Sequence, residues 1–106
     1  MKSIGIAVVL GIACGSVAAY AAKKTITQKD KAFSEAELTV KVGDEVAFAN
    51  DDTITHNIMS NSKGNEFNLG SQSPGTSVDV TFKEVGDVQV ICAIHPRMKM
   101  LVKVED

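Results

Sequence analysis

Near its C-terminal end the chain runs Cys92-Ala93-Ile94-His95-Pro96-Arg97-Met98, which sets a thiol, an imidazole and a thioether within one short segment. A second histidine, His56, stands well upstream and is followed directly by Asn57. Two imidazoles, one thiolate and one thioether are a soft to borderline donor set. A trigonal His2Cys group with a weak, long axial Met is the coordination sphere of a blue-copper electron-transfer site. The sequence contains two histidines, and this set uses both.

Each of these residues also has a plainer use. A free cysteine on the inward face of a strand is commonly a small buried hydrophobe, and Cys92 continues the alternation of Val88 and Val90. A loop histidine commonly bonds to backbone, and His56 follows the polar run Asn50-Asp51-Asp52-Thr53. Their coincidence outweighs the plain readings. Cys92, His95 and Met98 close three donors in one loop, and His56, at a separate strand end, supplies the fourth.

Met100 competes with Met98 for the axial position. Strand phase favours Met98, because Val102 and Val104 set the inward phase of the last strand. Extended backward, that phase makes Met100 a core residue and leaves Met98 in the loop before the strand. Met59 is assigned to packing. Asn57 is placed to join the two ligand loops through backbone hydrogen bonds and to give its N–H to the Cys92 sulfur. Pro96 has no N–H, which removes one donor to the thiolate and stiffens the loop.

The elements that must position these residues read as short strands. Leu38, Val40 and Val42 alternate with polar neighbours, then Gly43-Asp44 makes a turn and Val46 to Asn50 resume. Val78, Val80 and Phe82 alternate next, followed by a turn at Val85-Gly86-Asp87 and a further run through Val88, Val90 and Cys92. Val102 and Val104 close the chain. Strands at this spacing, with turn signals between them, indicate an all-β sandwich or barrel. Ser60 to Gly75 is the loosest stretch, anchored inward by Phe67 and Leu69. A helical turn near Ala32 to Glu37 is allowed by the pattern.

The chain of 106 residues has room for one domain. Lys2, the apolar run Ile4 to Val17 and the small-x-small sequence Ala19-Tyr20-Ala21 read as a secretory signal peptide over residues 1–21, with the domain over residues 22–106. The apolar run is too short to favour a bilayer span. Cys14 invites a lipoprotein reading, but Gly11 stands where that signal usually has Leu, so anchoring at Cys14 is not expected. Export implies a periplasmic address, where the single cysteine left, Cys92, has no disulfide partner within the chain and is free for a metal. Beyond residue 21, ten basic and thirteen acidic side chains remain, with no basic stripe of the kind nucleic acid requires.

The Cys-Ala-Ile-His-Pro-Arg-Met loop, together with His56-Asn57 and the Asn50-Asp51-Asp52 run, resembles the cupredoxins, the type 1 blue-copper proteins. Within them it is similar to the amicyanin, pseudoazurin and plastocyanin-like branch. The resemblance implies a Greek-key β-sandwich holding one type 1 copper, with His56, Cys92 and His95 as equatorial ligands and Met98 as the axial one. Arg97 departs from it, standing where that branch often has a hydrophobe. The function implied is a small periplasmic carrier of single electrons, not an enzyme, monomeric, docking transiently with a redox donor and acceptor near His95. An apolar rim of Ile94, Pro96 and Met100 would meet those partners. The rival reading is a copper carrier or buffer with no part in electron transfer. Neither nucleic acid nor stable membrane insertion is implied.

Overall fold

Side chains alternate across a strand, so an apolar residue at every second position builds one buried face. The computed structural model describes residues 22–106; the expected signal segment, residues 1–21 with Cys14, lies outside the described residues. Nine strands follow in order: β1 (Lys23–Lys29), β2 (Ala32–Phe33), β3 (Glu37–Lys41), β4 (Glu45–Asn50), β5 (Ile58–Ser60), β6 (Phe67–Asn68), β7 (Ser77–Thr81), β8 (Gly86–Cys92) and β9 (Lys99–Glu105). They form a four-stranded sheet, β2-β1-β4-β7, and a five-stranded sheet, β3-β9-β8-β5-β6. The chain passes repeatedly between the two sheets, which gives an all-β sandwich of the Greek-key kind.

The core lies between the sheets. Ile26, Val46 and Phe48 come from one side, and Val40, Ile58, Val88, Val90, Cys92, Val102 and Val104 from the other, all 3 % exposed or less. Burying each large apolar side chain contributes roughly 1.5–3 kcal/mol. Phe48 is the hub, with Phe33 edge-on at 6.4 Å and Phe67 at 6.0 Å between ring centroids.

Four details depart from the alternation pattern. Segment 32–37 forms the short strand β2 and a bend, with no helical turn. The pair β1–β2 closes through Asp30 and Lys31, both at positive φ, the backbone of a two-residue primed hairpin turn. Val42 and Val78 are exposed, since Val42 lies past the end of β3 and β7 is an edge strand. Strand β1 has no clean apolar pattern, because its inward positions are Ile26 and the fully buried Gln28.

Two pairings bring the site together. Strand β5 lies antiparallel to β8, with Ile58 opposite Cys92, so the residues before Ile58 and after Cys92 emerge at the same end of the sandwich. Strand β9 lies against β8 with Met100 opposite Val90, returning the chain from the loop between them. Among the described residues no helix is long and apolar enough to cross a membrane.

Candidate metal centre

At that end His56, Cys92 and His95 each point one ligand atom inward, all within 4.8 Å of one another. The Cys92 Sγ lies 3.4 Å from His56 Nδ1 and 3.8 Å from His95 Nδ1. An ion held at ~2.0 Å by nitrogen and ~2.3 Å by sulfur in a trigonal plane requires N···S edges of about 3.7 Å. The group therefore has both the donor chemistry and the spacing for one such ion. The two imidazoles meet edge to face, 5.1 Å between centroids.

His56 is wholly buried and held from three sides. Its backbone N–H donates to the Gln72 carbonyl, and Gln72 N–H donates back to the His56 carbonyl. Its Nε2 lies 2.9 Å from Asp52 Oδ2, which leaves Nδ1 turned toward the sulfur. That contact is made when Nε2 carries the proton, so the carboxylate selects the tautomer whose Nδ1 is a free donor. The Asp52 carboxylate also accepts the backbone N–H groups of Lys31 and Thr53. The Lys31 N–H first, then His56, hold this carboxyl well below the usual carboxylate range.

Gln72 is itself pinned. Its side-chain amide donates to the carbonyls of Phe48 and Thr76 and accepts from Gln28, and its own carbonyl takes the Asn50 amide. A buried polar layer of Gln28, Asn50 and Gln72 thus underpins the His56 segment. Its one orphan is Gln28 Oε1, the only buried side-chain polar atom without a hydrogen-bond partner among the described residues.

Asn57 joins the two ligand segments through its backbone. Its N–H donates to Cys92 Sγ at 3.4 Å, and its carbonyl accepts the Ala93 N–H at 2.8 Å. Its side-chain amide faces elsewhere, donating to Asn68 Oδ1. Among the described residues the Asn57 N–H is the only backbone donor to the sulfur, and Pro96 adds none.

Downstream, the loop closes on itself. Cys92 N–H donates to the Met98 carbonyl and Met98 N–H to the His95 carbonyl. Met98 and Met100 are both buried, at 2 % and 3 % exposed, so burial does not separate them. Level does: Met98 is tied across to Cys92, whereas Met100 sits opposite Val90, one inward step deeper. Met100 is consequently not part of the expected apolar rim, because its place in β9 turns it into the core. The surface beside His95 is a shallow groove lined by Lys31, Ile94, His95, Pro96, Arg97 and Met98.

A two-sheet sandwich bearing a His2Cys group at one end is the architecture of a cupredoxin. The profile of the copper-binding proteins of the plastocyanin/azurin family matches residues 20–105, and the chain belongs to that family. Copper is its metal. The chain is 38 % identical over 64 residues to the methylamine utilization protein MauL of Methylorubrum extorquens, a match covering 59 % of this chain and 56 % of that protein. It thus spans little more than half the length of that curated relative. Among solved structures, a purple cupredoxin from Nitrosopumilus maritimus is 26 % identical, with a TM-score of 0.69 over 77 % of this chain and 99 % of that one. A reduced-state amicyanin variant is 28 % identical, with a TM-score of 0.70 over 83 % of this chain and 88 % of that one.

Two contributors to this site carry little sequence signal. Asp52 is one of three acidic or amide residues in a polar loop, and only its spacing of four from His56 hints at a contact. Gln72 lies in the loosest stretch, far along the chain from both Gln28 and Asn50.

Proposed function

We propose that the protein is a small periplasmic electron carrier, with copper held by His56 Nδ1, Cys92 Sγ and His95 Nδ1 and with the Met98 thioether as the weak axial donor. On this reading residues 1–21 are a signal peptide, residues 22–106 are the working domain, and the protein acts as a monomer rather than as an enzyme. The observation that carries it is the convergence of three donor atoms, one a buried cysteine sulfur, within 4.8 Å at the end of a rigid sandwich.

Bound copper supplies a one-electron Cu(II)/Cu(I) couple at this position. The chain's own residues make such a couple fast by refusing to move. Asp52 and Gln72 fix the ring and backbone of His56, Asn57 fixes Cys92 against it, and the turn Met98 N–H to His95 carbonyl fixes the loop. His95, half-buried beside the apolar groove, brings the site to the surface where a redox partner can dock over a small interface. Both histidines of the chain belong to this one centre, which leaves none for a second, catalytic copper.

A copper buffer needs open, exchangeable ligands, and His56 and Cys92 are fully buried. Voltammetry of the copper-loaded protein in the presence of a chelator separates the two roles. A carrier gives a reversible one-electron wave and keeps its metal through repeated cycles. A buffer surrenders copper(I) to the chelator and gives no stable wave.

A further inference from the structure

The groove beside His95 is apolar at its floor, yet both charged side chains that line it are cationic: Lys31 and Arg97. No carboxylate lines it. This runs against the balance of the domain, in which acidic side chains outnumber basic ones. Neither Lys31 nor Arg97 has an ion-pair partner among the described residues, whereas Lys23 and Lys103 are paired with Asp79 and Glu37.

The two cations reach the groove from different parts of the fold. Arg97 lies in the ligand loop between His95 and Met98. Lys31 lies at the tip of the β1–β2 hairpin, and its backbone N–H donates to Asp52 Oδ2 at 3.0 Å, the oxygen that also contacts His56. That bond anchors the hairpin tip to the metal end, so Lys31 is held at the groove's edge by its own main chain. Ile94, 50 % exposed, and Pro96 supply apolar surface in the same groove.

The geometry points to a redox partner whose docking face is apolar with acidic side chains at its edge, placed to meet Lys31 and Arg97 in the groove beside His95. Charges at the edge of a small interface steer and orient encounter more than they hold it. Within a Debye length of about 8 Å at physiological salt, a partner's carboxylates sense this local pair more strongly than the domain's net charge. The proposal rests on the electron-carrier reading for the partner's role, and its test does not depend on electron transfer.

The test is amide NMR of the copper(I)-loaded protein, which is diamagnetic, with two paramagnetic probes: hexacyanochromate(III), a trianion, and hexaamminechromium(III), a trication. The trianion should broaden the amides of Lys31, Ile94, His95 and Arg97, and the trication should spare them. The double variant K31Q/R97Q should lose that broadening, while K83Q, at the opposite end of the sandwich, should keep it. Two peptides of equal length, one mixing glutamate with leucine and one all glutamate, then test the apolar floor. The mixed peptide should shift the same amides at lower concentration. Broadening centred on other lysines, broadening that survives K31Q/R97Q, or equal effects from the two peptides would overturn the proposal. The visible spectrum and voltammetric wave of the same samples report separately on whether the electron-carrier reading stands.

Discussion

His56 and His95 present the same imidazole nitrogen to the same sulfur, yet the fold holds them in opposite ways. His56 is fully buried, bridged to Gln72 on both sides of its peptide, and clamped at Nε2 by Asp52. His95 is half-buried in a loop of its own, with its Nδ1 on the Cys92 sulfur and its ring edge to face with His56, and no carboxylate clamps its other nitrogen among the described residues. One half of the centre belongs to the sandwich and the other to the surface. An electron-transfer site needs both: an anchored side that suppresses rearrangement and an open side that brings the donor set within reach of a partner.

Deleting each ring in turn should give opposite results. In the copper-loaded protein His95→Gly should lose its intense visible absorption and regain it on addition of free imidazole, because the vacated position opens to the groove. His56→Gly should not be rescued, because its position is sealed and the Asp52 carboxylate is left without its partner. Equal rescue of the two variants would remove the distinction.

Gln72→Leu tests what anchors the buried half. It leaves the Phe48 carbonyl and the Gln28 amide without their Gln72 partner, while the Thr76 carbonyl keeps only the Asn50 N–H. The expected loss is about 2–4 kcal/mol in denaturant unfolding, with increased exchange at the His56 amide and little change at His95.

The axial assignment follows from the level of each methionine. Met98→Gln offers a harder oxygen donor in place of the thioether and should lower the reduction potential. Met100→Leu, a near volume-conserving change two positions deeper, should cost less than ~1.5 kcal/mol and leave the potential in place. A potential that moves with Met100 alone would reverse the assignment.

Asp52→Asn removes a carboxylate that makes His56 a stronger donor. If copper(II) binding weakens about tenfold relative to copper(I), the potential rises by ~60 mV. The smallest effect is expected at the far end of the molecule. There Asp44 accepts the N–H groups of Lys41 and Ala22, which hold its carboxyl below the ordinary carboxylate value. A depressed folded pKa means that stability is full above the unfolded value, about 3.9, and drains as pH falls through the lower folded one. Asp44→Asn should therefore flatten the acid limb of the stability profile while leaving the metal end's spectrum unchanged.

The same division explains what was legible in the sequence. The donor residues stand out because each is chemically distinctive and scarce, and β8 and β9, which flank the loop from Cys92 to Met98, alternate cleanly. Strand β1 does not, because Gln28 occupies an inward position and its burial is justified only by Gln72, 44 residues away. Strands β2 and β6 are two residues long, too short for any period to show. Asp52 and Gln72 act through contacts that exist only once the loops are folded over one another. Met98 and Met100 share an inward phase, because the Cys92 N–H bond to the Met98 carbonyl carries the β8–β9 pairing one rung beyond the end of β9, which no alternation pattern shows. The lysine at the groove came from a hairpin whose primed turn is written Asp30-Lys31, without the glycine that usually marks one.

The central claim is that one copper sits on the Cys92 sulfur between two histidines of unequal freedom. Titration of the metal-free protein with copper(II), followed by visible absorption, tests it most directly. An intense sulfur-to-copper band should saturate at one equivalent per chain and be absent from Cys92→Ser. Colourless binding, or a band that survives Cys92→Ser, would contradict it.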